Sequence, residues 1–189
     1  MKKIMLTTLY ACSTILFAAG ININTAKLEF EGYKTPDMVG TKGSFKNVKY
    51  NLGKNNSTIT GQLQGARAII SPNDIDMGDD VITTNIIETF FKVLNSKRNF
   101  SVEFKNITEG NNIGSINAIL TIDKESVTFP LFYSIEDTKN GKFIARGRLS
   151  LDGFSNAQKA LKALSEVAPG HMNLSWPIVD VVFSADMSK

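Results

Sequence analysis

From residue 27 onward the chain alternates between apolar and polar positions. Val127, Phe129, Leu131, Tyr133 and Ile135 are apolar at every second place, and Ser126, Thr128, Pro130, Phe132 and Ser134 stand between them. Successive side chains of a strand point to opposite faces, so this period of two describes a strand with one apolar face. Phe100, Val102 and Phe104 repeat the pattern, as do Ile116, Ala118, Leu120 and Ile122, then Phe143, Ala145, Gly147, Leu149 and Leu151, and Leu28 with Phe30. Pro130 has no N–H to give a ladder, which predicts a bulge or an edge there. Gly53-Lys54-Asn55-Asn56, Glu109-Gly110-Asn111-Asn112, Asp123-Lys124-Glu125 and Lys139-Asn140-Gly141 separate the runs. Asn and Gly tolerate the positive φ of tight hairpins. The pattern predicts about eight strands, at 27–34, 43–52, 59–73, 98–108, 113–123, 126–137, 141–152 and 177–185, with short links that make neighbours antiparallel.

Two stretches break the period. Ile82, Ile86, Phe90, Val93 and Leu94 are spaced for a helix over 81–94. Ala157, Ala160, Leu161, Leu164 and Ala168 are spaced for one over 155–167, stopped by Pro169-Gly170. The fold class is mainly β, with one short helix after strand 3 and one helix before the last strand. Eight such strands can form a sandwich or a closed barrel. A barrel removes exposed edges and encloses either a packed interior or one small ligand. The inward set is rich in Phe and Leu, and periodicity alone leaves a plain core and an apolar pocket both open.

The first twenty residues read as a leader rather than as fold. Lys2 and Lys3 precede an uncharged run from Ile4 to Gly20 that closes on Ala18-Ala19-Gly20, the pattern of a secretory signal peptide. Residues 1–20 are therefore expected to be removed, leaving one domain over 21–189 and a periplasmic location. A rival reading takes Leu9-Tyr10-Ala11-Cys12 as a lipobox with Cys12 as a lipidated N-terminus. A cleaved signal takes away Cys12, the only cysteine, and with it disulfides, zinc thiolates and cysteine nucleophiles. It also lowers Lys+Arg from 21 to 19 against 18 Asp+Glu. No basic run interleaved with aromatics suggests nucleic acid.

Asp74, Asp76, Asp79 and Asp80 place four carboxylates in seven residues. An EF-hand loop counted from Asp74 would need Gly at its sixth place and Glu at its twelfth, where Asp79 and Asn85 stand. Carboxylates ahead of Val81 fit instead the start of a helix, where they accept from its free N–H groups, with Asp79 or Asp80 as the cap. His171 is the one histidine and reads as a loop or packing residue. No Gly-x-Ser-x-Gly elbow or Walker-type loop is present. The expectation is no enzyme, no cofactor and no metal.

Three stretches resemble the YceI-like family of secreted bacterial proteins. Gly43-Ser44-Phe45-Lys46-Asn47-Val48 is similar to its Gly-x-Phe-x-x-Phe stretch. Ala66-Arg67-Ala68-Ile69-Ile70-Ser71-Pro72-Asn73-Asp74-Ile75-Asp76-Met77-Gly78 is similar to its strand ending in Asp-x-Gly, with Phe90-Phe91 closing the following helix. Leu120-Thr121-Ile122 to Val127-Thr128-Phe129-Pro130-Leu131 is similar to its Leu-Thr-x…Val-Thr-x-Pro-Val hairpin. The resemblance spans roughly 27–152 and implies an eight-stranded antiparallel lipocalin-like β-barrel that binds a long isoprenoid or other amphiphilic lipid. A periplasmic lipid carrier with transient membrane contact is the function implied. A non-enzymatic stress or interaction protein with a filled barrel is the alternative. The family's Arg-Asp-x-His-Leu run is replaced here by Val81-Ile82-Thr83-Thr84-Asn85-Ile86. The longer 155–175 segment is expected to cover one end of the barrel or to mediate an interaction.

On this reading the lipid pocket is lined by Phe30, Phe45, Val102, Phe104, Leu120, Phe129, Leu131, Tyr133, Phe143 and Leu149, with Ile86 and Phe90 as its lid. Burying about 500 Å² of prenyl surface contributes about 12 kcal/mol before ordering costs. Binding then needs no polar contact, so selection by chain length is expected and selection by head group is not. A tryptophan at Leu131 is expected to block the tunnel.

Overall fold

The structure, a computed structural model, describes residues 20–53, 58–136 and 141–188. The expected leader, with Cys12, lies outside the described residues apart from Gly20. Among the described residues eleven strands form one antiparallel sheet, not the eight predicted: β1 Gly20–Ile21, β2 Lys27–Lys34, β3 Val39–Phe45, β4 Lys49–Asn51, β5 Arg67–Ile70, β6 Ile75–Asp76, β7 Phe100–Glu109, β8 Ile113–Ile122, β9 Glu125–Glu136, β10 Lys142–Ser150 and β11 Ser175–Ser188. The hydrogen-bonded order is β4-β5-β7-β8-β9-β10-β11-β2-β3-β6, and β1 pairs with the end of β11. The sheet curls so that its ends meet. β4 follows β3, β6 follows β5, and Lys46 N–H donates to the Asp74 carbonyl (2.8 Å) beside the last β3–β6 pair.

The extra strands come from two interruptions. The stretch 43–52 is broken where Asn47 takes φ +51°, a left-handed conformation that Asn tolerates. The stretch 59–73 is not one strand. Thr58 accepts from Gly61 N–H (2.9 Å) and caps a helix, α1 Ile59–Leu63. Ser71 and Pro72 then start a 3-10 turn, Pro72–Asp74, between β5 and β6. The next helical segment consequently follows the sixth strand rather than the third. It comprises α2 Asp80–Asn85, a π-helical stretch Ile86–Phe91 and α3 Lys92–Asn95, ending at Ser96 in the left-handed region. The last helix, α4 Ala157–Val167, precedes β11.

Alternation along the strands becomes burial. On β8, Ile116, Ala118, Leu120 and Ile122 are buried; on β9, Phe129, Leu131 and Tyr133 are buried while Phe132 is 65% exposed. Pro130 stands one residue beyond the last β9–β10 pair, Gly147–Leu131. Its missing N–H falls where that ladder has already stopped. One end of the interior is packed by rings. Phe143 contacts Tyr133 (5.1 Å between centroids) and Phe183 (6.1 Å), and Phe183 contacts Tyr50 and Phe104. Burial pushes the Tyr50 hydroxyl up to about 12, as expected of a dry interior.

Candidate lipid cavity

The other end of the barrel is hollow. A cavity of about 480 Å³ lies between the sheet, the 80–95 helical segment and α4, within the range of small-molecule sites. Its wall is almost wholly hydrocarbon. Phe30 on β2, Phe45 on β3, Val102 on β7, Leu120 on β8, Phe129 on β9 and Leu149 on β10 reach it from six strands, and Ile86 and Phe90 face it from the helical segment. Rings brace one side: Phe45 lies 5.4 Å from Phe30 and 5.7 Å from Phe100, and Phe91 stacks on Phe100 at 5.9 Å. The π-helical stretch buries two successive rings, Phe90 and Phe91, on the interior side.

The remaining predicted lining residues stand elsewhere. Phe104 and Leu131 border a second cavity of about 60 Å³ toward the packed end. Tyr133 and Phe143 border neither cavity and belong to the ring-packed core, with Phe143 fully buried. A tryptophan at Leu131 would therefore fill the small cavity and leave the large one open. Leu28, Ile70, Val102, Phe129 and Val181 border both cavities, so the wall between them is one side chain thick.

Residues that alternation did not pick out complete the site. Leu161 and Leu164 of α4 face the large cavity, and the chain from Ala168 to His171 runs along it; the 155–175 segment thus covers this end of the barrel. Val81, Ile82 and Asn85 reach the cavity from α2, in the stretch where the family run differs. Trp176 enters from the start of β11, its indole N–H donating to the Thr35 carbonyl (2.7 Å). It does so because the β11–β2 pairing slips. Ser175 opposes Lys34 and Val179 opposes Gly32, so four steps on β11 match two on β2. Such a bulge re-aims side chains.

The interior is not free of polar groups. Lys34, Thr41, Asn85, His171 and Ser175 lie along the cavity, beside a wall whose hydrocarbon alone was expected to suffice for binding. His171 Nδ1 lies 2.7 Å from Ser175 Oγ, which lies 2.7 Å from Ser165 Oγ. Burial, and then the charge of Lys34, hold the His171 imidazolium below its ordinary proton affinity.

The acidic stretch acts as local scaffolding. Asp79 caps α2 through Ile82 N–H (2.9 Å), Asp76 holds Gly78 N–H (3.0 Å) and Lys46 (2.7 Å), and Asp74 accepts from Asn47 (3.0 Å). Among the described residues, no group of three or more His, Cys, Asp or Glu side chains is placed to hold a metal.

No protein-family model and no curated protein matches the chain by sequence. Solved structures do match by shape. BcnA of Burkholderia cenocepacia superposes with a TM-score of 0.63 at 13% identity, over 89% of this chain and 99% of that one. A polyisoprenoid-binding domain from Saccharophagus degradans, implicated in plant cell wall breakdown, gives 0.63 at 12%, over 91% and 98%. The YceI protein of Campylobacter jejuni gives 0.56 at 15%, over 98% and 100%. The chain has the fold of these proteins, and the YceI resemblance read from the sequence holds at that level.

Proposed function

We propose that this protein is a periplasmic carrier that holds an isoprenoid or other amphiphilic lipid by its apolar chain. The observation that carries the reading is the 480 Å³ cavity itself, walled by Phe30, Phe45, Phe90, Leu120 and Leu149 and bordered by exposed residues at one end. A filled barrel, the mark of an interaction protein, is met only at the Phe143 end. The polyisoprenoid-binding domain with the same fold supports a lipid ligand. Binding and release require no catalysis. Val81 and Met172, 70% and 68% exposed, stand on the two segments that border the opening and suit a brief contact with a membrane during loading.

The test is to purify the protein under native conditions, extract it with organic solvent and identify the lipids by mass spectrometry beside the intact native mass. A stoichiometric isoprenoid or quinone-like lipid is expected. A protein that arrives empty and takes up no added polyprenoid would sink the carrier reading.

A further inference from the structure

We propose that the cavity selects its lipid by an acidic head group, with Lys34 receiving an ionised oxygen and His171 Nε2 sharing the head-group proton. The inference rests on the carrier reading and adds to it the chemistry of the polar end.

The argument starts from hydrogen-bond direction. The Ser165 hydroxyl donates to the Leu161 carbonyl (2.9 Å), one turn back on α4. A hydroxyl has one proton to give. Its contact with Ser175 must therefore be one in which Ser175 donates and Ser165 accepts. Ser175 has then used its own proton, so in its contact with His171 the ring Nδ1–H is the donor. A carbonyl of α4 thus sets the histidine tautomer through two serines. The neutral ring keeps its proton on Nδ1, and Nε2, without a hydrogen-bond partner among the described residues, is left as an acceptor.

The second group is Lys34. It is the cross-strand partner of Ser175, and directly opposed residues in an antiparallel pair share a face. Its ammonium lies 3.7 Å from the point a Cβ on Gly170 would occupy, next to His171 in the chain. Lys34 has no carboxylate within ion-pair distance among the described residues. Lys34 is also the charged group that His171 feels. Thr41 on β3, Asn85 on α2, and Ser175 and Trp176 on β11 are uncharged. On the neighbouring part of β2, the Tyr33 hydroxyl is committed to Asp180 (2.6 Å), whose carboxylate is held by Arg148. That carboxylate is already paired.

A cation and a bare acceptor therefore border an apolar cavity without an internal partner. An alcohol could give its proton to Nε2 but would offer Lys34 only a neutral oxygen. A phosphate monoanion satisfies both at once, its remaining O–H donating to Nε2 and its O⁻ accepting from Lys34; a carboxylate offers Lys34 its O⁻ and keeps no O–H. A head group that arrives fully ionised would draw a proton from solvent onto Nε2, since a nearby anion favours the imidazolium. Carboxylate and phosphate share this chemistry.

His171 is the only histidine, so one labelled ring reports the site. The delipidated protein, carrying ¹⁵N-histidine, would be titrated with dodecanol, dodecanoic acid and dodecyl phosphate, three probes with one tail. An acid is expected to bind about tenfold or more tighter than the alcohol, the size of a charge-assisted hydrogen bond. The ring signals should move from the Nδ1–H form toward the imidazolium or a shared Nε2 proton with the acid alone. The stronger of the two acids identifies the head group as carboxylate or phosphate. Lys34→Gln should collapse the ratio of acid to alcohol, and Lys34→Arg, which keeps the charge, should retain it. Equal affinity for all three probes with an unmoved ring signal would overturn the head-group site and leave the carrier intact. Failure of every probe to bind would overturn both.

Discussion

Gly32 and Val179 are paired across the β2–β11 ladder, both border the large cavity, and the space above Gly32 is empty. A Cβ there would meet nothing within 4 Å. Gly32 lies two residues from both Phe30 and Lys34, so its missing side chain would point inward with theirs. Gly32→Leu should fill the cavity without a clash. Lipid affinity should fall about tenfold or more. Thermal stability should hold or rise, because glycine within a strand costs about 0.5–1 kcal/mol relative to alanine. Unchanged lipid uptake by a folded Gly32→Leu protein would show that the ligand lies elsewhere.

Phe129 stands in the wall between the two cavities. Phe129→Ala should join them and lengthen the apolar space toward Phe104 and Leu131. Removing a buried ring costs about 3–5 kcal/mol, so the melting temperature should drop. The informative reading is relative: in a series of fatty alcohols, the best-bound chain should become longer. An optimum that stays at the wild-type length would mean that the two cavities do not connect.

The inward face was legible in the sequence because period two assigns a side. Phe30, Phe45, Leu120 and Leu149 were found this way, and they border the cavity. Phe104, Tyr133 and Phe143 obey the same rule yet stand toward the packed end. Alternation gives the face of a residue and not its height along the barrel. Height is decided by what sits opposite, and Phe183 fills that end from a strand whose register follows a bulge. The same bulge, around Trp176, Pro177 and Ile178, breaks the period just where Ser175 and Trp176 enter the site. Leu161 and Leu164 were readable as a helix face, but what that face covers is a tertiary fact. The strand count failed at Asn47, which leaves extended geometry and ends a strand, and at Thr58, which stays extended but caps a helix where a strand was expected.

Met172 is exposed beside the cavity lining but does not border the cavity. Met172→Glu should slow the transfer of lipid from anionic vesicles several-fold, and more at low ionic strength, where repulsion by the membrane is unscreened. Affinity for lipid in free solution should not change. Equal transfer rates at every salt concentration would remove this segment from the membrane contact.

Asp180 ties three strands together. Arg148 on β10 grips its carboxylate through Nε (2.6 Å) and Nη2 (2.8 Å), and Tyr33 on β2 donates to it (2.6 Å). The Arg148 hydrogen bonds pull it down to about 2, opposed by partial burial and helped by Tyr33. The folded value lies below the ordinary aspartate value of about 3.9. The stabilisation is therefore fully present above that value and is lost as pH falls toward about 2. Melting temperatures recorded from about pH 6 to about pH 2 should show a smaller acid loss for Asp180→Asn than for wild type. An identical pair of curves would assign the acid sensitivity to other carboxylates.

Asp79 tests the meaning of the acidic stretch. Its carboxylate accepts from Ile82 N–H at the start of α2, and α2 supplies Val81, Ile82 and Asn85 to the cavity. Losing a cap of this kind costs about 1 kcal/mol, within about 0.5–2. Asp79→Ala should lower stability by that amount, while Asp79→Ser, which keeps an acceptor, should recover most of it. Asp80 lies one residue inside the helix and holds no capping bond, so Asp80→Ala should cost only the smaller interaction of a charge with the helix dipole, about 0.3–1 kcal/mol. Denaturant midpoints at fixed slope measure the difference. A rise in stability on adding calcium to the wild type, lost in Asp79→Ala, would reassign the stretch from a helix start to an ion site.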